Sequence, residues 1–353
     1  SMNGSLSGKN PMNPIPLIRQ AAIAPAVSYL AAEGAPIGRY LRRAKLSIPL
    51  PETLETLIPL HQMCDFLSSV ARAEGIKDLG FRIGGHVGIE CLGVYGRLFT
   101  QSLTLHECIQ TSIDLISSFN SGQQIWLERH GDEVRYCQKI IEHSPPDRVT
   151  EVIHLGFAIA LVCPRHALGP NWKPNRIELA SDPVDLTVHY SELANVPSSF
   201  SQPHTSIWAD LKVLSAPLPR WDARELPPAG ETDRASFVES GPAVDFAGQL
   251  EQAIASALDR PEMGLQLTAA IIGMSSRTIQ RRLGELGLSF SHLVQGVRFQ
   301  NAQGLLRDSQ MPLVQIAKRL GYTDPANFTR AFKRWTGISP NEFRRIHYED
   351  GHE

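Results

Sequence analysis

Two segments near the C-terminal end of the chain, 48 residues apart, carry arginine, asparagine and glutamine side chains at helical spacing. Side chains of these types can form bidentate hydrogen bonds with the edges of DNA bases in the major groove. Apolar residues four positions apart face inward in each segment, which leaves the polar side chains on the outer face. The outward-facing residues are Arg277, Gln280, Arg281, Asn327, Arg330, Lys333 and Arg334. The spacing therefore predicts two helices that contact nucleic acid.

The residues before each of these helices favour a helix-turn-helix motif. An alanine lies four positions before Gly273 and before Gly321, and each glycine suits a turn that requires a positive φ. Ser275 can cap the first outward-facing helix, and Asp324 can cap the second, with Pro325 at its first position. A single motif of this kind also fits an ordinary helical bundle with a solvated basic face. The tandem repeat favours DNA binding over that alternative.

A long helix is predicted between the two motifs, over residues 289–308. Its inward-facing apolar residues are Phe290, Leu293, Val294, Val297, Ala302, Leu305 and Leu306. Twenty helical residues span roughly 30 Å, close to the ~34 Å turn of B-DNA. Both outward-facing helices could therefore enter successive major grooves on one face of the duplex.

Charge is distributed less evenly along the chain than its net charge of −2 suggests. Residues 261–346 contain 12 Lys and Arg and 5 Asp and Glu, a net charge of +7, so the remainder carries −9. A basic segment beside an acidic remainder is typical of a polyanion-binding module joined to another domain. Residues 215–232 are rich in proline and lack helical or strand periodicity, which predicts a linker. The predicted domains are 13–215 and 233–348, with a linker at 216–232 and helix-turn-helix motifs at about 265–286 and 313–336.

The stretches 277–283 and 316–340 resemble the DNA-binding domain of AraC/XylS-type transcriptional regulators. The resemblance implies an all-α domain with recognition helices at 276–286 and 325–335. The sequence departs from the family pattern at Ile271 and Ile272, which are more apolar than the residues usual at these positions in the family. Arg298 matches the family pattern, either as a salt-bridge partner within the linking helix or as a phosphate contact. The DNA-binding residues that it implies are Ser276, Arg277, Thr278, Gln280, Arg281, Pro325, Asn327, Thr329, Arg330, Lys333 and Arg334.

The first two hundred residues mix two periodicities. Helical spacing occurs at 15–32, 57–73, 103–119 and 150–166. Alternation at 123–129 and 133–141 around a Gly-Asp pair predicts a β-hairpin, and 176–179 and 206–209 are further short strands. The pattern predicts an α+β domain with a small, largely antiparallel sheet. Trp126, Trp172 and Trp208 are aromatic candidates for a ligand pocket or for core packing.

The stretches 79–84, 93–96, 102–105 and 169–174 are similar to the N-terminal effector domain of one AraC subgroup, labelled arabinose-binding-like and including ornithine and virulence regulators. The label reflects ancestry and implies no sugar. Together the two resemblances imply a transcription regulator that binds double-stranded operator DNA as a homodimer. They further imply a small-molecule effector, whose binding residues the sequence does not identify, and contact with RNA polymerase if the protein is an activator.

Two other functions stay open at this point. His61 with Cys64, and Cys163 with His166, have a spacing that could supply four zinc ligands to a metal or redox sensor. They lie on predicted apolar helices, where cysteine behaves as a small hydrophobic residue. An enzyme coupled to DNA, such as a repair methyltransferase, would need an activated cysteine, and none is evidently so placed. We therefore predict no catalytic residue, no metal site and no cofactor.

The remaining composition limits the location of the chain. An apolar fraction of 42% with 20% charged residues is typical of a core-forming protein and excludes a disordered one. Five cysteines without a C-x-x-C pair exclude a disulfide scaffold and suit a reducing cytosol. The most apolar stretch, 152–163, is shorter than a membrane-spanning helix. These features predict a cytoplasmic protein without a membrane partner.

Overall fold

A computed structural model describes residues 14–48, 53–141, 144–222, 227–260, 263–308 and 310–349. An α+β half is followed by an all-helical half, as the sequence predicted. The strands are β1 (Leu17–Arg19), β2 (Leu57–Pro59), β3 (Gln123–His130), β4 (Glu133–Ile140), β5 (Arg176–Glu178), β6 (Ser198–Ser199) and β7 (Thr205–Asp210). The helices are α1 (Ala24–Ala32), α2 (Ile37–Ala44), α3 (Leu60–Glu74), α4 (Leu79–Gly84), α5 (Val94–Phe99), α6 (Leu105–Phe119), α7 (Pro146–Ala160), α8 (Val162–Leu168), α9 (Glu231–Glu239), α10 (Phe246–Ala255), α11 (Leu265–Ile272), α12 (Ser276–Glu285), α13 (Phe290–Asp308), α14 (Leu313–Arg319), α15 (Pro325–Thr336) and α16 (Pro340–Glu349).

A five-stranded sheet in the order β3-β4-β7-β5-β6 forms the centre of the first half. Every pairing is antiparallel except that of β5 with β6, which confirms the small, largely antiparallel sheet. The predicted hairpin is present, because His130 pairs with Glu133 across a two-residue turn. Gly131 in that turn has φ +62°, the left-handed conformation that glycine adopts without a steric penalty.

Two of the predicted helices are shorter than expected, because their first residues form β1 and β2. These strands pair with each other, so the predicted helices at 15–32 and 57–73 were wrong at their starts. Pro25 lies in the first turn of α1, the part of a helix that tolerates proline. Pro59 biases Ile58 towards extended backbone. Both strands are buried, and a short apolar run cannot be assigned by periodicity alone.

The predicted helix at 150–166 consists of two helices, α7 and α8, that meet at Leu161. Pro164 accounts for the break, because it has no N–H to donate to the carbonyl of Ala160. The whole segment Pro146–Leu168 is long and apolar enough to cross a membrane by length and composition. In this fold α7 packs against α3 and α4, with Leu155 and Phe157 buried, and so it serves as a core helix.

The second half is built around α13, whose bounds agree with those of the predicted linking helix. Its buried residues are Leu293, Val294, Val297, Ala302 and Leu306. They share one apolar core with α10, α12 and α15, and this core includes Phe328 and Phe332.

The N-terminal segment joins the two halves. The backbone N–H of Ile15 donates to Gln249 Oε1 on α10 at 2.8 Å, and the side chains of Ile15 and Leu17 are buried in the core of the second half. Arg19 is 1% exposed, and its guanidinium donates to the carbonyl oxygens of Ser118 and Phe237 at 2.9 and 2.6 Å. This buried arginine therefore ties β1 to the ends of α6 and α9.

The described part of the predicted linker lies along the first half. The backbone N–H of Leu218 donates to the carbonyl of Leu103 at 2.9 Å, and Trp221 stacks on His166 at 3.6 Å. Helix α9 also packs there, because the ring of Phe237 is buried in the core of the first half. Residues 223–226 of the predicted linker lie outside the described residues.

Candidate DNA interface and effector cavity

The first helix-turn-helix motif consists of α11 and α12 joined at Gly273. This glycine has φ +69°, as the sequence predicted. Ser275 caps α12, because its Oγ accepts from the backbone N–H of Thr278 at 3.1 Å. Ile279 and Leu283 face inward and are 0% and 1% exposed. The opposite face of α12 is therefore held outward by the burial of these two side chains.

The second motif consists of α14 and α15, with Gly321 at the turn. Its φ is +74°, and a Cβ at this position would lie 2.4 Å from the carbonyl oxygen of Leu258. Asp324 caps α15 by accepting from the N–H of Ala326 at 2.8 Å, with Pro325 in the first turn. Glycine is therefore required here by both the backbone conformation and the space.

The predicted DNA-contacting side chains fall on two exposed faces. The exposed residues are Arg277, Gln280, Arg281, Asn327, Arg330, Lys333 and Arg334. Half-buried are Ser276, Thr278, Pro325 and Thr329. The exposed set has the composition expected of a base-reading and phosphate-contacting surface, and its contact with DNA stays a prediction.

Several of these side chains bond to their own helix. Arg281 Nη1 lies 2.5 Å from Glu285 Oε1, and Arg330 Nη2 donates to Asn327 Oδ1 at 2.5 Å. For either arginine to contact a base, its exposed bond within the helix would have to break. Such an exposed bond contributes little to stability, so breaking it costs little. Thr329 Oγ1 donates to the Pro325 carbonyl at 3.1 Å, so this hydroxyl supports the first turn of α15.

Other basic residues of the second half are engaged inside the fold. Arg282 is 7% exposed and lies over the ring of Phe246 at 4.9 Å. Arg298, for which the sequence left a salt bridge or a phosphate contact open, lies over the ring of Tyr322 at 4.9 Å. Net charge alone therefore overstates the number of cations on the outer face.

The first motif also contacts the α+β half, because α11 packs against α3. Ile271 and Ile272 are 1% and 4% exposed, which explains why these positions are more apolar than the family pattern. A Cβ at Gly273 would lie 2.7 Å from His61 Nδ1, and this nitrogen is 2.9 Å from Ser144 Oγ. The turn of the first motif is thus seated directly on α3.

A cavity of about 130 Å³ lies in the α+β half between the sheet and helices α5 to α8. None of the described residues that line it is charged. Its few polar groups come from glutamine, tyrosine, serine and cysteine side chains, and Trp172 is the one of the three candidate tryptophans that reaches its wall. Burial raises the pKa of Tyr95 well above its usual value, so this phenol stays neutral.

Gln138 on β4 is the most informative polar residue of the wall. It is 6% exposed, and its Oε1 accepts from Gln123 Nε2 at 3.1 Å. Its Nε2 is buried without a hydrogen-bond partner among the described residues. Gly156 faces it from α7, where a Cβ would lie 3.3 Å from Gln138 Oε1. A buried donor without a partner marks a position where a ligand atom can be accommodated.

A second polar cluster, which the sequence did not predict, lies where α4 meets α7. Glu151 Oε2 accepts from the backbone N–H of Gly80 at 2.8 Å, and burial raises the pKa of Glu151 to about 7. Burial lowers the pKa of His154 to about 4, and its ring stacks on Phe81 at 4.0 Å. Both residues lie within an apolar helical run of the sequence. Only the structure, which shows that they are buried, distinguishes them from solvent-exposed polar residues of a helix.

The Cys/His pairs considered for metal binding have other neighbours. His166 Nε2 lies 2.8 Å from the carbonyl oxygen of Pro219, and Cys64 is fully buried. A hydrogen bond with Cys108, together with burial, raises the pKa of Cys163 well above its usual value. Among the described residues, no three His, Cys, Asp or Glu side chains form a group that could hold a metal.

Two further cysteines, Cys91 and Cys137, also lack the setting of a nucleophile. Burial raises the pKa of Cys91 and of Cys137 to about 12. A thiol with so high a pKa is almost entirely protonated at neutral pH, whereas the thiolate is the reactive form. These two side chains therefore give no support to a DNA-coupled enzyme.

Comparison with known proteins covers both halves. Residues 34–218 match the arabinose-binding domain of AraC transcription regulators, and residues 268–346 match a helix-turn-helix domain. The chain is 26% identical over 303 residues to the ornithine utilization regulator of Pseudomonas aeruginosa, which covers 83% of this chain and 87% of that protein. It is 40% identical over 100 residues to the regulator VqsM of the same species, covering 28% of this chain and 31% of VqsM. The crystal structure of CdpR from Pseudomonas aeruginosa aligns with a TM-score of 0.39 at 21% identity, over 89% of this chain and 98% of CdpR. The chain belongs to the AraC family of transcription regulators, with an N-terminal ligand-binding domain and a C-terminal helix-turn-helix domain that binds DNA.

Proposed function

We propose that α12 and α15 read operator DNA, and that a small molecule in the cavity of the N-terminal domain controls this binding. The observation that carries the proposal is the pair of exposed basic faces on two motifs joined by α13. Nineteen residues of α13 span roughly 28 Å, near one turn of B-DNA. Arg281 and Arg330 are the proposed base readers, and Lys333 and Arg334 the proposed phosphate contacts.

The proposed coupling follows the packing between the cavity and the first motif. Helix α7 contributes Gly156, Ile159 and Ala160 to the cavity wall and packs against α3. Helix α3 in turn packs against α11, and His61 faces Gly273 at the turn. A ligand that favours one position of α7 would shift the population of arrangements available to the first recognition helix.

The remaining partners follow from how such regulators bind DNA. Two half-sites are occupied by two copies, so we propose a homodimer formed through the N-terminal domain. The proposed location is the cytoplasm, where the chain meets DNA, and contact with RNA polymerase is expected if the protein activates transcription. Sedimentation of the full chain at tens of micromolar tests the dimer, because a monomer with and without DNA would contradict it.

The salt dependence of DNA binding tests the proposed contacts. Lys333→Ala removes one exposed cation from α15, and it is expected to weaken binding to all sequences and to lower the slope of log affinity against log salt by about one. Arg345→Ala, which removes an exposed cation from α16, is the matched control. If both variants keep the wild-type slope, α15 does not lie against the DNA backbone.

A further inference from the structure

We infer that the cavity takes a small, uncharged, largely apolar molecule with one ring and a single oxygen that accepts a hydrogen bond from Gln138. This inference rests on the proposed function of the N-terminal domain as the effector-binding part of the regulator. It adds the chemical class of the ligand, which neither the family nor the sequence supplies.

Charge is the first argument. The described residues of the cavity wall include neither an acidic nor a basic side chain. An ion transferred from water into such a wall loses its hydration without gaining a partner of opposite charge. Amino acids, polyamines and carboxylates are therefore excluded as occupants, although one relative is named for the use of an amino acid, ornithine.

Size is the second argument. The cavity of about 130 Å³ is slightly smaller than an engineered 150 Å³ apolar cavity that binds benzene. One ring with a short substituent fits this space.

A chain of hydrogen bonds fixes the polarity of the ligand. The backbone N–H of Gly122 can only donate, and it donates to Asn120 Oδ1 at 3.0 Å. Asn120 must therefore present its amide nitrogen to Gln123 Oε1, at 3.3 Å. Gln123 in turn presents Nε2 to Gln138 Oε1, at 3.1 Å.

This series of hydrogen bonds ends at the Nε2 group of Gln138, which is buried without a partner in the described part of the protein. Val134, Tyr136 and Gln138 alternate along β4, and all three contribute to the cavity wall. Gln138 also lies on the wall of a neighbouring pocket of about 80 Å³, and its position between the two spaces leaves its amide within reach of the cavity. Because the relay leaves Gln138 with N–H groups to offer, the ligand must supply an acceptor such as a carbonyl or hydroxyl oxygen. A hydrogen bond from Gln138 Nε2 to such an acceptor removes the cost of a buried unsatisfied donor.

Four probes of nearly equal size separate the requirements. Acetophenone is neutral with an acceptor, ethylbenzene is neutral without one, and benzoate and benzylamine carry opposite charges at pH 7. Titration calorimetry on the full chain is expected to show binding of the two neutral probes, acetophenone more tightly, and no binding of the two ions. Ala160→Phe fills the cavity from the end of α7 and is expected to abolish binding of both neutral probes.

Gln138→Met is the second variant, which keeps the side-chain volume but removes the donor. Acetophenone is expected to bind it about tenfold more weakly, and ethylbenzene as well as before. Equal losses for both probes would overturn the role of Gln138, and failure of both neutral probes to bind would overturn the inference. Binding of benzoate or benzylamine that Ala160→Phe abolishes would overturn the ligand class and leave the effector role of the cavity in place. If acetophenone binds and operator affinity does not change, the ligand class stands and the proposed coupling fails.

Discussion

Replacing Glu151 with glutamine is expected to change how the stability of the N-terminal domain depends on pH. Burial raises the pKa of this carboxyl to about 7 from an ordinary value of 4.5. The folded protein therefore holds a proton that the unfolded chain releases, so stability from this group falls as pH rises through 7. The full difference corresponds to about 3 kcal/mol, and most of it lies between pH 5 and 8.

Glutamine imitates the protonated carboxyl, and its Oε1 can still accept from the N–H of Gly80. Glu151→Gln is therefore expected to exceed the wild type at pH 8 by about 2–3 kcal/mol and to differ little at pH 5. His154 acts in the opposite direction, because burial lowers its pKa to about 4 and its contribution is lost as pH falls below 6.5. The glutamate effect is thus clearest above pH 6.5, where His154 no longer titrates.

Urea unfolding followed by tryptophan fluorescence measures this difference. Four of the five tryptophans lie before residue 222, so the signal reports mainly the N-terminal domain. Glu239→Gln on the exposed surface of α9 controls for the loss of a carboxylate. If Glu151→Gln and the wild type differ by the same amount at pH 5 and at pH 8, then Glu151 is not a protonated buried group and the packing of α4 on α7 is wrong.

Two further predictions concern the backbone and the domain boundary. Gly321→Ala is expected to destabilise the DNA-binding domain by about 1–3 kcal/mol, because Gly321 has a positive φ and lies close to the Leu258 carbonyl. Gly284→Ala is the control and should stabilise the domain slightly, because Gly284 lies inside α12 with open space around it. Thermal unfolding of the two variants measures the difference. We also propose that the domain boundary lies between α9 and α10, so a fragment of residues 242–353 should fold alone as a helical domain by circular dichroism. An unfolded fragment would show that the helical domain needs α9 or the N-terminal segment that carries Ile15 and Leu17.

The helix-turn-helix motifs were predictable because local chemistry determines them. Ser275, Asp324 and the two turn glycines act within a few residues of their own positions, and the structure places each as a cap or a left-handed turn. The inward-facing side chains of α12 and α15 follow the helical period for the same reason. An element whose signals are local can be read from one segment of sequence.

The cavity was not predictable, because its wall is assembled from elements far apart in the chain. Gln138 and Gln123 lie on paired strands, and Gly156 comes from a helix packed across them. The orphaned amide of Gln138 exists only once these elements meet. The same reasoning applies to β1 and β2, whose burial on both faces removed the alternation that identifies a strand.

The central claim, that two recognition helices read the operator, is tested most directly by selecting bound sequences from a random DNA pool at fixed salt. Arg281→Ala and Arg330→Ala are each expected to cost ~1–3 kcal/mol and to relax the selected motif at one base pair, at positions about one helical turn apart. Lys333→Ala should weaken binding and leave the motif unchanged. If Arg281→Ala keeps both the wild-type affinity and the wild-type motif, the first motif is only a structural support, and the claim of two reading helices is wrong.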